Sequence, residues 1–233
     1  MLETYIHTVD ATAPGLLEGL YLVGSVALGD YRPHESDLDF IAVVPDRPSV
    51  EALPVLRHIH AQLRARYRRP HFDGVYVTSE DLGRNPALAG PVPSAHEGRV
   101  QWGRSGLDPI AWHTLARNGV ALRGPEAADL AVWTDSDALR AWTLDNLRSY
   151  WRPWHRRFSR PLSIEGLAAL GAWAPAWGVL GVSRLHYTLL TGEIISKEGA
   201  GIHALSAFPP RWQRIIEECL RIRRGRHGSS LYR

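Results

Sequence analysis

The sequence predicts an α/β domain followed by an α-helical bundle. Three observations predict it. Apolar runs of strand length alternate with helical stretches through the first half, Gly124-Pro125 punctuates the chain, and the segments beyond that break read as packed helices. The expected domains are therefore residues 1–125 and 126–233, with a cleft between them of the kind that commonly holds a ligand. Within the first domain, residues 19–25 read as a strand ending in a turn, and residues 38–44 as a second, buried strand. Residues 48–67 space their apolar side chains as an amphipathic helix, and residues 72–78 form a third strand. The Gly- and Pro-rich stretch 83–95 reads as a loop. A short strand at 99–102, a helix at 109–118 and a strand-and-turn at 119–125 complete the domain. Asp135-Ser136-Asp137 then gives a helix-capping signal ahead of a long helical segment.

Composition narrows the function classes. A chain of 233 residues with 45% hydrophobic and 22% charged residues has enough apolar material to bury a core. No apolar run approaches a membrane span, and the first residues lack the basic-then-apolar order of a signal peptide, so a cytoplasmic protein is expected. A monomer is the expected state. The single cysteine, Cys219, excludes an internal disulfide and reads as a buried thiol at helical spacing. The net charge of +3 rests almost wholly on arginine, with Lys197 the only lysine. The basic stretches at 64–71, 152–160 and 221–228 are scattered and read as solvated helix faces, which argues against a nucleic-acid partner.

One constellation carries chemistry. Gly24-Ser25 ends the first strand, and Ser36-Asp37-Leu38-Asp39 opens the second. Asp37 and Asp39 are two residues apart on a strand, so their carboxylates project from one face. Two such charges repel each other unless a cation neutralises them, and an oxygen donor set selects Mg²⁺. Gly24 leaves room for a ligand, and Ser25 opens a short helix whose N–H groups and hydroxyl suit a phosphate. A phosphate cradle beside a metal pair is what phosphoryl or nucleotidyl transfer requires. A third carboxylate is needed to complete the metal site or to take a proton from the attacking hydroxyl. Asp73, at the start of the third strand, is the leading candidate, and Glu97 and His96 are its rivals.

These residues resemble the nucleotidyltransferase superfamily that shares its catalytic fold with DNA polymerase beta. More closely, residues 21–39, 72–78, 118–125 and 182–201 are similar to the streptomycin/spectinomycin (aminoglycoside) adenylyltransferases and their relatives. The resemblance implies an α/β (α+β) domain with a mixed sheet, ATP as substrate and one or two Mg²⁺ ions. It implies Ser25 and Ser36 on the nucleotide phosphates and Asp37 and Asp39 as metal ligands. Asp73 falls where the family has a glutamate that binds metal and acts as catalytic base, one methylene longer. Arg184 and Lys197 match nucleotide contacts of the second domain, and Trp102 matches an aromatic of the antibiotic site. Before Arg184, however, residues 174–180 carry alanine and tryptophan where the antibiotic enzymes have an acidic residue and an asparagine. A cationic acceptor needs carboxylates to replace its hydration, so the acceptor stays open between an aminoglycoside and another small hydroxylated molecule. A protein or RNA acceptor, or a non-catalytic nucleotide-binding role, is the alternative. Most of Trp151, Trp154, Trp173 and Trp177 are expected to pack as core, a stacking surface for a flat or sugar-like acceptor being the lesser reading.

Overall fold

The computed structural model describes residues 1–33 and 35–226; the last two residues of the basic stretch at 221–228 lie outside them. The chain divides into two compact units, Met1–Asp135 and Ser136–Arg233.

In the first unit, α1 (Leu2–Thr12) leads to β1 (Gly19–Leu22), the single turn α2 (Gly24–Ala27) and β2 (Leu38–Val43). Helix α3 (Leu53–Arg66) crosses to β3 (Phe72–Val77), which is followed by α4 (Ser79–Leu82). Strands β4 (Val92–His96) and β5 (Arg99–Gly103) form a hairpin, and α5 (Pro109–Asn118) runs into β6 (Val120–Arg123). The six strands make one mixed sheet in the order β5-β4-β3-β2-β1-β6. Only β2 and β3 run parallel, because α3 returns the chain to the same end of the sheet; every other neighbouring pair is antiparallel.

Alternation along these strands builds a core on each face. Leu20, Leu22, Leu38, Phe40, Ala42, Phe72 and Tyr76 pack with Tyr5 of α1 and Leu56, Ile59 and Leu63 of α3. Tyr21, Val23, Ile41, Val43, Val75 and Val77 pack with Trp112 and Leu115 of α5 on the other face. Gly74 is required in the first core, since a Cβ there would stand 2.0 Å from the Phe40 carbonyl oxygen. Its absence lets Phe40 and Phe72 stack at 4.2 Å between ring centroids. Inside this core Tyr76 Oη lies 2.6 Å from Tyr5 Oη and 2.8 Å from His60 Nε2, so three buried polar side chains satisfy one another.

Two expectations need correction. The stretch 83–95 is not wholly loop, because 92–95 belong to β4. Pro93 hid the strand, yet it costs no bond to β3, whose pairing with β4 involves Ala95 and Ser94. The first unit also extends past Gly124-Pro125. Ala127 is buried in the second core, Leu130, Val132 and Trp133 pack against it, and the Trp133 N–H donates to the Leu82 carbonyl at 2.8 Å.

The second unit is helical: α6 (Ser136–Asn146), a π-helical turn (Leu147–Trp151), α7 (Arg152–Phe158), α8 (Ile164–Ala168), α9 (Trp173–Thr191), α10 (Lys197–Ala207) and α11 (Gln213–Arg223). Leu180, Ala204, Ile216, Cys219 and Leu220 form its core. Burial pushes the Cys219 thiol up to about 12, which removes the thiolate needed of a nucleophile. Trp151, Trp154, Trp173 and Trp177 form one aromatic cluster with Phe158. A Cβ on Gly181 would stand 2.2 Å from the Trp151 ring and one on Gly178 2.9 Å from Trp154, so α9 is cut away to receive both indoles.

Burial holds His60 at about 4, well below an ordinary histidine. The unfolded chain therefore binds a proton that the folded protein refuses between about pH 6.5 and 4. The stability this group contributes is complete above 6.5 and is lost as pH falls through that window, at up to about 1.4 kcal/mol per pH unit. Urea unfolding of the wild type and of His60→Gln at pH 7 and pH 5 should show the steeper loss in the wild type. Parallel losses would remove His60 from the account.

Candidate active site

The site begins where β1 ends. The Val23 N–H donates to the Asp39 carbonyl at 2.9 Å, which fixes the exit of β1 against the start of β2. Gly24 follows with φ +58°, in the left-handed region that favours glycine. A Cβ at Gly24 would lie 2.0 Å from Asp39 Oδ2, so the Asp39 carboxylate occupies the space that any side chain at Gly24 would need. Ser25 comes next in α2. Its Oγ is buried and has no hydrogen-bond partner, a costly state for a hydroxyl.

The segment joining α2 to β2 folds on itself. Ser36 is buried, its N–H donates to the Arg32 carbonyl at 2.9 Å, and its Oγ accepts from the Arg32 N–H at 3.1 Å. Arg32 Nε in turn reaches Asp30 Oδ1 at 3.1 Å. The Ser36 hydroxyl thus closes this loop, whereas that of Ser25 stays unpaired.

The carboxylates follow from strand register. Asp39 and Asp73 are direct partners in the parallel β2–β3 pair, so their side chains leave the same face. That face is the one carrying Ile41, Val43 and Val75, the side of the second core. Asp37 lies two residues before Asp39, just ahead of β2, and its negative charge acts on Asp73. Asp37 Oδ1 accepts from the His71 N–H at 3.3 Å and from Arg69 Nη1 at 3.5 Å. Asp73 Oδ1 accepts from the Glu97 N–H at 2.8 Å, and its Oδ2 lies 3.1 Å from His96 Nδ1. Burial raises the Asp73 carboxyl above the ordinary carboxylate range; the Glu97 N–H and the charge of His96 oppose that rise, and the negative charge of Asp37 adds to it.

The donor set suits a hard divalent cation in kind: three carboxylates from two adjoining strands, two of which raise each other's energy by like charge. Among the described residues no three acidic or histidine groups converge tightly enough to form a metal cage. The oxygens of Asp37 and Asp73 face N–H donors instead. Each carboxylate oxygen has a second lone pair, so these bonds leave capacity for a cation.

The remaining expected site residues belong to the second unit and to β5. In the second unit Arg184, on α9, donates from Nε to the Ile195 carbonyl at 2.9 Å, which ties α9 to the segment leading into α10. Lys197 opens α10, and its Nζ stands 4.6 Å from the centroid of the Trp177 ring. Trp177 lies two turns before Arg184 on the same helix, so the two share one face of α9, and Lys197 reaches that face at Trp177. Trp102, on β5, is half-buried and packs against the first core with Val100. It therefore faces the side of the sheet opposite to Asp39 and Asp73. His96 and Glu97, read from sequence as rivals of Asp73, are its hydrogen-bond partners. Arg69 and His71 were not singled out at all. The missed signal was the Glu97-Gly98 pair, a two-residue turn that returns the chain beside β3 once β4 is recognised as a strand.

Comparison with known proteins bears on the domains and the fold. A family model described as a nucleotidyltransferase domain matches residues 12–89, and one described as the C-terminal domain of aminoglycoside adenylyltransferase matches residues 162–231. Among solved structures, the chain is similar in fold to the spectinomycin adenyltransferase of Enterococcus faecialis, determined with ATP and spectinomycin. The TM-score is 0.71 at 15% identity, over 98% of this chain and 90% of that one. No curated protein matches significantly.

Removing an unpaired buried hydroxyl relieves a desolvation cost. Ser25→Ala should therefore keep or slightly raise the melting temperature while it weakens ATP binding about tenfold by calorimetry, a loss of ~1.4 kcal/mol. Unchanged affinity would show that the hydroxyl faces no phosphate.

Proposed function

We propose that this chain, a nucleotidyltransferase that carries the aminoglycoside adenylyltransferase C-terminal domain, transfers AMP from ATP to a hydroxyl of a small molecule and releases pyrophosphate. The observation that carries the reading is the pairing of Asp39 with Asp73 directly beside the Gly24-Ser25 turn. That geometry sets acidic side chains next to an unpaired hydroxyl suited to a phosphate oxygen.

Each residue then has a chemical task. Asp37 and Asp39, with Asp73, would hold one or two Mg²⁺ ions. Bound there, Mg²⁺ neutralises charge on the phosphate oxygens. Gly24 lets the triphosphate approach the backbone, and Ser25 donates its hydroxyl proton to a phosphate oxygen. Ser36 acts with it through the loop that it closes. Arg184 and Lys197, which match nucleotide contacts of the resembled family, are cationic residues of the kind that bind a triphosphate as charge-assisted donors. Asp73 accepts the proton of the acceptor hydroxyl. The acceptor oxygen forms its bond to the α-phosphorus, and the bond from that phosphorus to the bridging oxygen breaks. The electron pair leaves with pyrophosphate.

The acceptor is a small hydroxylated molecule, with aminocyclitols and aminoglycosides such as spectinomycin and streptomycin the first to test. Trp102 packs with the first core, on the face opposite the carboxylates, so its part in the acceptor site is a wall at most. No helix among the described residues is long and apolar enough to cross a membrane, and the reading places the enzyme in the cytoplasm, where ATP and Mg²⁺ are present.

Incubation with labelled ATP and Mg²⁺ against a panel of hydroxylated antibiotics, followed by mass spectrometry, should reveal one product heavier by AMP. Asp37→Ala should lower its formation by at least about 1,000-fold, on the order expected when a principal electrostatic element is removed. Equal product with Asp37→Ala would refute the assignment.

A further inference from the structure

The tip of the β4–β5 hairpin reaches the start of β3. Ala95 pairs with Gly74, and the next step of the same antiparallel register sets His96 opposite Asp73. His96 in turn pairs with Arg99 across a turn of only Glu97 and Gly98, at φ +49° and +72°. Two positive φ values in a two-residue turn give the type I′ form, whose twist matches the flanking strands and fixes the tip. The hairpin thereby presents two donors to one carboxylate on separate oxygens: the Glu97 N–H to Oδ1 at 2.8 Å and His96 Nδ1 to Oδ2 at 3.1 Å.

We propose that His96 is a positioning residue: with the Glu97 N–H it fixes the rotation of the Asp73 carboxylate, so that the free lone pairs of that group face the acceptor hydroxyl. The inference rests on Asp73 as the base of the proposed reaction. A carboxylate turns easily about its last torsion, and one held by a single donor keeps that freedom. A second donor on the other oxygen removes it. Asp73 is nearly buried while the His96 side chain is 67% exposed, so the imidazole contributes little to packing. Its contact with Asp73 is instead a hydrogen bond to a carboxylate, among the stronger kinds. Donation from Nδ1 also fixes the tautomer, with the proton on Nδ1 and Nε2 left toward solvent. The shorter reach of an aspartate makes orientation the more important, since a side chain with one torsion fewer cannot correct a misplaced carboxylate.

The test compares wild type, His96→Ala and His96→Asn. The asparagine amide nitrogen takes the place of Nδ1, so it can donate the same bond without the ring. His96→Ala should lower kcat about 10- to 100-fold, the range for lost orienting partners, with KM for ATP and the melting temperature nearly unchanged. His96→Asn should restore most of kcat. Independently of turnover, ¹⁵N NMR of the protein without nucleotide or metal should show His96 as the Nδ1–H tautomer, and Asp73→Ala should abolish that preference. Wild-type kcat in His96→Ala, or an Nε2–H tautomer at His96, overturns the proposal. If the wild type transfers AMP to no acceptor and binds no ATP while the Nδ1–H tautomer is found, the functional reading fails, and the clamp loses its catalytic purpose with it.

Discussion

The contact between the Asp39 carboxylate and the bare Cα of Gly24 is the constraint on which the site depends. With Asp39 Oδ2 2.0 Å from where a Cβ would stand, no residue but glycine fits at position 24 while the carboxylate keeps this place. The Val23 N–H bond to the Asp39 carbonyl locks the same two segments through the backbone. A turn suited to a phosphate and a carboxylate suited to a cation are thus held side by side. That is the juxtaposition nucleotidyl transfer needs, because Asp37 and Asp39 would hold a cation beside the turn that receives the phosphates.

The parallel step from β2 to β3 supplies the remaining acid. An antiparallel hairpin would have reversed the chain within a few residues, whereas the α3 crossover starts β3 level with β2 and brings Asp73 opposite Asp39. Crowding acids together costs energy, and the structure offsets part of that cost with donors from several elements. Arg69 and the His71 N–H approach Asp37, and the β4–β5 tip approaches Asp73. The offset is incomplete at Asp73, where burial outweighs its donors and leaves the carboxyl with a raised proton affinity. Such an incompletely compensated acidic group marks a candidate functional site.

Much of this was legible in the sequence because it is local. Gly24-Ser25 after an apolar run, and Asp37 and Asp39 before another, announce themselves through strand ends and period-two alternation. Asp73 was legible for the same reason. What escaped notice depends on partners far along the chain. Pro93 disguised β4, and without β4 neither the turn at Glu97 nor the approach of His96 to Asp73 could be placed. The face of Trp102 was hidden likewise, since the side of the sheet that an edge residue occupies is set by its pairing with Pro93. Ser36 shows a different limit. Its position in the motif was evident, but only the fold reveals that its hydroxyl is engaged by the Arg32 N–H. The second unit gave least, because helical periodicity marks a bundle without saying which faces meet; the glycines that admit Trp151 and Trp154 against α9 are recognisable only with the rings in place.

The most direct measurement is a crystal structure with Mn²⁺ and a non-hydrolysable ATP analogue, read by anomalous scattering. The account predicts a manganese peak within about 2 Å of oxygens from Asp37 and Asp39, with Asp73 adjoining and the triphosphate passing over Gly24 to meet Ser25. Manganese bound elsewhere, or a triphosphate that avoids the Gly24-Ser25 turn, would contradict it.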